Sequence, residues 1–127
     1  MIRRLELTGE QAAFAMRQGE FDQGVRGASR LVAVVLTQDW CGQWAAMDGY
    51  LAEMGSRRPE LDLTVFLLEY NRVDYFQEFL NFKEQVLGNR VIPYVRYYRD
   101  GSLVGQSNYV SERQFLSFFR ETPREKA

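Results

Sequence analysis

The chain of 127 residues has no histidine and one cysteine, Cys41. Without histidine the commonest general base and metal ligand are both missing, so neither a zinc site nor a Cys-His nucleophile pair is expected. One cysteine excludes an internal disulfide, which is compatible with a cytoplasmic location. Charge of either sign is not in excess: 16 basic side chains face 17 acidic ones, for a net charge of -1. That balance leaves no electrostatic footprint for nucleic acid or an anionic membrane. No apolar run is long enough to span a bilayer. The opening Met1-Ile2-Arg3-Arg4-Leu5-Glu6-Leu7 turns acidic where a secretory leader would stay apolar. The expectation is a cytoplasmic protein with no nucleic-acid partner, no membrane partner and no metal or bound cofactor.

What is present is an ordinary globular balance, 46% hydrophobic and 14% aromatic. At this length one domain buries most of its apolar side chains unaided by disulfides or metals. We expect a single domain over 1–127, with 121–127 a disordered tail. Thr8-Gly9-Glu10-Gln11 has the form of a capping box and predicts a first helix through Ala12, Phe14, Ala15 and Met16. Leu31-Val32-Ala33-Val34-Val35-Leu36 is a continuous apolar run, the pattern of a central strand covered on both faces.

Beyond Cys41, the residues Trp44, Met47, Leu51 and Met54 recur at helical spacing, so a helix starts close to the cysteine. Leu63-Thr64-Val65-Phe66-Leu67-Leu68 supplies a second strand, parallel to the first through a crossover helix. Tyr75, Phe79, Phe82 and Val86 mark one helix over about 73–87. Asp100-Gly101 between two strand-like runs predicts a hairpin. Ser111-Glu112-Arg113-Gln114 is a second capping box, before a last helix with Phe115, Leu116, Phe118 and Phe119. Tyr94, Tyr97, Tyr98, Arg96 and Arg99 alternate as on a strand with one core face and one solvated edge face.

Trp40-Cys41-Gly42-Gln43-Trp44 sets the lone thiol between an apolar strand and an amphipathic helix. Trp40-Cys41-Gly42 of this segment, together with the strand Leu31 to Leu36, Val65 and the residues up to Asn71, Arg90-Val91-Ile92-Pro93, Asp100-Gly101 and the closing helix, resembles the thioredoxin family over nearly the whole chain. The resemblance implies an α/β thioredoxin fold: a central mixed β-sheet of about four strands, the last two antiparallel, flanked by helices on both faces. It also implies that Ile92-Pro93 is a cis-proline peptide facing Cys41. The sequence departs from the family where a second thiol would act. Trp44 stands in place of the resolving cysteine, Val35 in place of the buried acid, and Glu69 in place of the basic residue of the next strand.

The chemistry implied is therefore one-thiol exchange or none. In the first reading Cys41 is the catalytic nucleophile at a helix N-terminus, which favours a thiolate. It acts on a protein thiol or disulfide partner, and a small external thiol is the co-substrate. Trp40, Gly42, Gln43, Trp44, Ile92 and Pro93 bind substrate, the last two by strand addition at the backbone preceding the proline. In the second reading the chain is a redox-inactive thioredoxin-fold module that grips a protein segment in the groove expected between the Trp40-Cys41 loop and Pro93. Blander alternatives stand beside each residue: Cys41 as a packed, inert thiol, Trp44 as core (the reading its helical spacing favours), and Pro93 as the shaper of an edge strand. The expected assembly is a monomer or a weak homodimer; a third reading is a redox sensor in which Cys41 forms an intermolecular disulfide with another copy and switches a dimer on.

Overall fold

In a computed structural model that describes residues 1–120, the chain opens with a strand, β1 (Ile2–Glu6). The expected 121–127 tail lies outside the described residues. Thr8 then caps α1 (Gly9–Gln18): its hydroxyl accepts from the Gln11 amide at 3.1 Å, and the Gln11 side chain accepts from the Thr8 amide at 2.8 Å. Two N–H groups at the helix start are thus satisfied reciprocally. Gly19, at φ 80°, ends the helix in the left-handed region that a side chain disfavours. A single turn, α2 (Gln23–Arg26), leads into β2 (Leu31–Thr37), which is buried at every position.

The chain continues through α3 (Gly42–Arg57), β3 (Leu63–Glu69), a 3-10 turn at Tyr70–Arg72 and α4 (Phe76–Asn81), which runs into a π-helical turn at Phe82–Val86. The hairpin β4 (Tyr94–Arg99) and β5 (Ser102–Ser107) and the short α5 (Glu112–Ser117) complete it. Asp100 and Gly101 turn the hairpin at φ 52° and 81°, both left-handed, as an Asp-Gly turn requires.

The sheet order is β1-β3-β2-β4-β5, with β1, β3 and β2 parallel and the last two strands antiparallel to their neighbours. Alternation splits the core in two. On one face Val32, Val34, Leu36, Phe66, Leu68, Tyr94 and Tyr98 meet Ala12, Ala15, Val25 and Phe79. On the other, Ala33, Val35, Leu63, Val65, Val95 and Tyr97 meet Trp44, Met47, Leu51, Met54 and Phe115. Each large apolar side chain so buried contributes about 1.5–3 kcal/mol.

Three expectations change. The sheet has five strands, not about four. The fifth, β1, is held to β3 by main-chain pairing while four of its five side chains remain exposed, so it shows no period-two burial pattern. The helix over 73–87 is shorter and ends in a π-turn, closed by the Leu87 amide donating to the Phe82 carbonyl at 3.1 Å. The wider turn directs both Phe82 and Lys83 inward.

Finally, β4 has no solvated face and is not an edge, because β5 covers its outer side. Arg96 on it is 7% exposed. Its guanidinium donates to the Tyr98 and Tyr94 hydroxyls, each at 2.9 Å, and to Glu20 Oε2 at 2.7 Å. A charge paired in this way is compatible with burial, which a charge-means-surface reading of the alternation misses.

Candidate functional site around Cys41

Past the end of β2 the chain passes Gln38, Asp39 and Trp40 and reaches Cys41, the N-cap of α3. The Trp44 amide donates to Cys41 Sγ at 3.4 Å, so the thiol does the work usually given to a serine or aspartate oxygen. Cys41 is 8% exposed. Trp44, one turn along, is 6% exposed and packs with Cys41 in the cluster that contains Met47 and Leu51, as its helical spacing favours. Gly42 and Gln43 are exposed at the first turn of the helix.

Trp40 is the opposite of Trp44: 68% exposed, with its indole N–H donating to Gln38 Oε1 at 2.7 Å. The loop is tied down from the 3-10 turn. The Asp39 amide donates to Asn71 Oδ1 at 3.0 Å, and Asn71 Nδ2 donates back to Asp39 Oδ1 at 2.8 Å. Gln38 Nε2 reaches the Tyr70 hydroxyl at 3.4 Å. Burial pushes the Tyr70 phenol above its ordinary range, with the nearby Cys41 acting in the same direction as a smaller contribution. The Trp40 ring is thus tethered through Gln38 to Tyr70.

The β2/β4 register pairs Leu36 with Tyr94 in opposite directions, so the end of β2 and the start of β4 lie at the same end of the sheet. That register brings Cys41 and Ile92-Pro93 to one end of the molecule. The Ile92–Pro93 peptide bond is cis. Pro93 is buried, and Ile92 packs on both apolar clusters. Among the described residues, no hydrogen bond engages the Ile92 amide or carbonyl. The preceding Val91, by contrast, has its carbonyl held by Lys83 at 2.8 Å and by Asn108 at 3.0 Å. Val91 and Trp40 are both large exposed apolar residues.

The second-thiol apparatus is absent in three dimensions as well. Val35 is fully buried and carries no titrating group, and Glu69 faces Arg72 at 3.7 Å. Among the described residues, no group of three histidine, cysteine or acidic side chains is placed to hold a metal. Among the described residues no helix is long and apolar enough to cross a membrane. Surface hollows of about 310 and 610 Å³ lie at Glu6, Leu67 and Val73 and at Thr8, Phe14 and Arg17, and Cys41 lines neither. Gln38, Lys83, Asn89 and Asn108 escape a reading of the sequence. They act through side-chain hydrogen bonds to loop residues, several of them in the case of Asn89 and Asn108, and none carries a spacing signal.

No family model matches the sequence, and no curated protein is similar to it in sequence. The fold, however, has many solved counterparts. Thioredoxin O2 from Arabidopsis thaliana superposes with a TM-score of 0.61 at 15% identity, over 91% of this chain and 89% of that one. A thioredoxin mutant from Halobacterium salinarum gives 0.60 at 17% identity, over 95% of both chains. A buckwheat glutaredoxin in complex with glutathione gives 0.51 at 19% identity, over 87% and 88%. The chain is thus a thioredoxin-fold protein, with a single thiol at the cap of α3.

Proposed function

We propose that this is a one-thiol exchange protein acting through Cys41 on protein disulfides or mixed disulfides. The observation that carries the reading is the hydrogen bond from the Trp44 amide to Cys41 Sγ. It puts the sulfur against one N–H group of a helix start, where the negative charge that develops on sulfur as a disulfide bond forms and breaks is stabilised. In the first step the Cys41 thiolate attacks one sulfur of the substrate disulfide. A new S–S bond forms to Cys41 and the other sulfur leaves as a thiolate. In the second step an external thiolate of the glutathione class attacks the substrate-derived sulfur, restoring Cys41 and carrying the substrate off as a new mixed disulfide. Electrons balance, because the external thiol is the reductant of the cycle.

No second thiol exists in the chain, so release is bimolecular and depends on the external thiol concentration. Trp40 supplies an apolar ring for the substrate chain, and the free amide and carbonyl of Ile92 supply strand-type pairing. Gly42 leaves room at the first turn: a Cβ built there meets no atom within 4 Å. Trp44 closes the side of the sulfur where a resolving thiol would stand. With Cys41 only 8% exposed, attack requires a disulfide aligned with the small open side of the sulfur. The test is glutathione-dependent reduction of hydroxyethyl disulfide. The wild-type chain is expected to turn it over with a rate that rises with glutathione, and Cys41→Ser is expected to be inactive. Equal rates for the two would contradict the reading.

A second reading is favoured by one specific contrast, a 68% exposed Trp40 beside a thiol that is 92% covered. In it the groove binds a protein segment without chemistry. Cys41→Ser then leaves partner binding intact while Trp40→Ala weakens it.

A further inference from the structure

Lys83 has an unusual position. It lies in the π-helical turn at Phe82–Val86 and is fully buried, although lysine is almost never so placed without a reason. Among the described residues no carboxylate pairs with its ammonium. Its contacts lie instead around the proline loop: Nζ donates to the Val91 carbonyl at 2.8 Å and sits 5.9 Å from the centre of the Tyr94 ring. Those two residues flank Ile92-Pro93. The same turn also receives the loop's main chain, with the Asn89 amide donating to the Lys83 carbonyl at 3.3 Å.

Asn108, just past β5, completes the arrangement from the other side. Its Nδ2 donates to the Val91 carbonyl at 3.0 Å, the Pro93 carbonyl at 3.0 Å and Asn89 Oδ1 at 2.9 Å. Asn89 Oδ1 also accepts from the Val91 amide at 3.0 Å. The amide and carbonyl of Val91, and the carbonyl of Pro93, are thus all engaged, while both backbone groups of Ile92 between them are not. Holding the groups on either side and leaving one residue open is how a backbone is presented to an incoming strand.

We propose that Lys83, together with Asn108, is a positioning residue that fixes the Val91 carbonyl and so presents the Ile92 backbone to peptide-like disulfides at Cys41. This rests on the exchange reading of Cys41 and the Ile92 pairing given above, and adds to them the residues that hold the proline loop in place for substrates with a peptide backbone next to the sulfur. Small reagents that need no backbone pairing are indifferent to the clamp. A burial cost for an ammonium with one charge-assisted hydrogen bond and an aromatic face is otherwise unexplained, since an apolar side chain would fill the same space more cheaply.

The test measures two rates on the same sulfur, with oxidised glutathione as the peptide disulfide and iodoacetamide as the reagent without backbone demands. The variants are Lys83→Met, which keeps the stem and removes the donor, and Asn108→Ala. The expected result is that each variant lowers the glutathione-to-iodoacetamide rate ratio by about tenfold, with iodoacetamide reactivity within about twofold of wild type. The double variant falls no further than the more affected single one, because both donors serve one carbonyl. A merely structural role would lower the melting temperature and leave the ratio unchanged, and that result overturns the proposal. If Lys83→Met does not fold, Asn108→Ala, on a partly exposed loop, decides alone by the same criterion. A wild-type thiol that takes iodoacetamide but never glutathione disulfide overturns the exchange reading itself and this inference with it. Wild-type exchange with unaltered ratios in the variants overturns only the positioning role.

Discussion

The Trp44 amide donates to Cys41 Sγ at 3.4 Å, so the lone thiol of the chain is also the cap of its longest helix. Two roles on one atom separate under substitution. Cys41→Ser keeps an acceptor at the cap and is expected to stay within about 1 kcal/mol of wild type, whereas Cys41→Ala loses the acceptor and falls about 0.5–1 kcal/mol below the serine variant. Urea unfolding checks this; equal stability of the two variants would show that the sulfur caps nothing. Both variants are expected to lose disulfide exchange completely.

The two tryptophans beside the thiol should behave oppositely. Trp44→Ala removes a 94% buried ring from the packing of α3 and is expected to cost about 3–5 kcal/mol by thermal or urea unfolding. Trp40→Ala removes a largely exposed ring and should change stability by no more than about 0.5 kcal/mol, while lowering the rate of exchange with a peptide disulfide. For the same reason Trp44→Cys should destabilise the fold by an amount comparable to Trp44→Ala, even though it supplies a second thiol at the family's usual spacing.

Arg96 and Glu20 form a pair within a buried phenol cluster. Burial alone works against the charge on Arg96, but Tyr98, Glu20 and Tyr94 more than offset it and hold the guanidinium firmly protonated. The Tyr98 phenol is raised above its ordinary range, first by burial. Glu20→Ala strands the guanidinium and is expected to cost about 2–4 kcal/mol. Combining it with Arg96→Met should cost less than the sum of the single changes, because the second substitution removes the stranded charge. Strict additivity in unfolding experiments would rule out the coupling.

Lys83 gives a pH signature. Burial lowers its ammonium to about 8 from 10.5, with the Glu84 charge acting weakly in the opposite direction. A base whose folded value is depressed binds more protons when unfolded, so its effect on stability is unfavourable and constant below about 8. That penalty is relieved as pH rises from about 8 towards 10.5. The stability difference between wild type and Lys83→Met should therefore shift in favour of wild type across that window, with tyrosine ionisation common to both proteins. A difference independent of pH from 7 to 10.5 would contradict the assignment.

Gly105 of β5 leaves no space for a side chain: a Cβ built there lies 2.6 Å from the Phe118 ring. That ring stacks on Tyr97 at 4.3 Å and 12° between planes, so it has little freedom to retreat. Gly105→Ala is expected to destabilise by about 1–3 kcal/mol, read by unfolding.

What the sequence made legible follows the range of the interactions involved. Both capping boxes, the buried run of β2, the stripe of α3 and the Asp100-Gly101 turn depend on neighbours within a few residues, and all of them form. β1 escaped because four of its five side chains are exposed, so it has no alternating burial pattern, and its place in the sheet comes from main-chain pairing with β3. The π-turn escaped because Tyr75, Phe79, Phe82 and Val86 keep helical spacing up to the point where the turn widens. At the site, the cap position of Cys41 and the core position of Trp44 were written in the spacing. The Gln38 bond to Trp40 was not, because a side-chain bond between loop residues two apart leaves no periodic signal, and the grip of Lys83 and Asn108 on Val91 was not, because it depends on how the π-turn and the end of β5 meet the proline loop.

The central claim, that Cys41 is a working thiol and not packing, is tested most directly by its alkylation rate with iodoacetamide in the native chain and in the urea-unfolded chain at the same pH. The account expects the native thiol to react at least as fast as the unfolded one, despite its 8% exposure, because the Trp44 amide at the helix start holds the sulfur in place for attack. A native thiol that hardly reacts until the chain unfolds would contradict it and leave the groove as a binding surface alone.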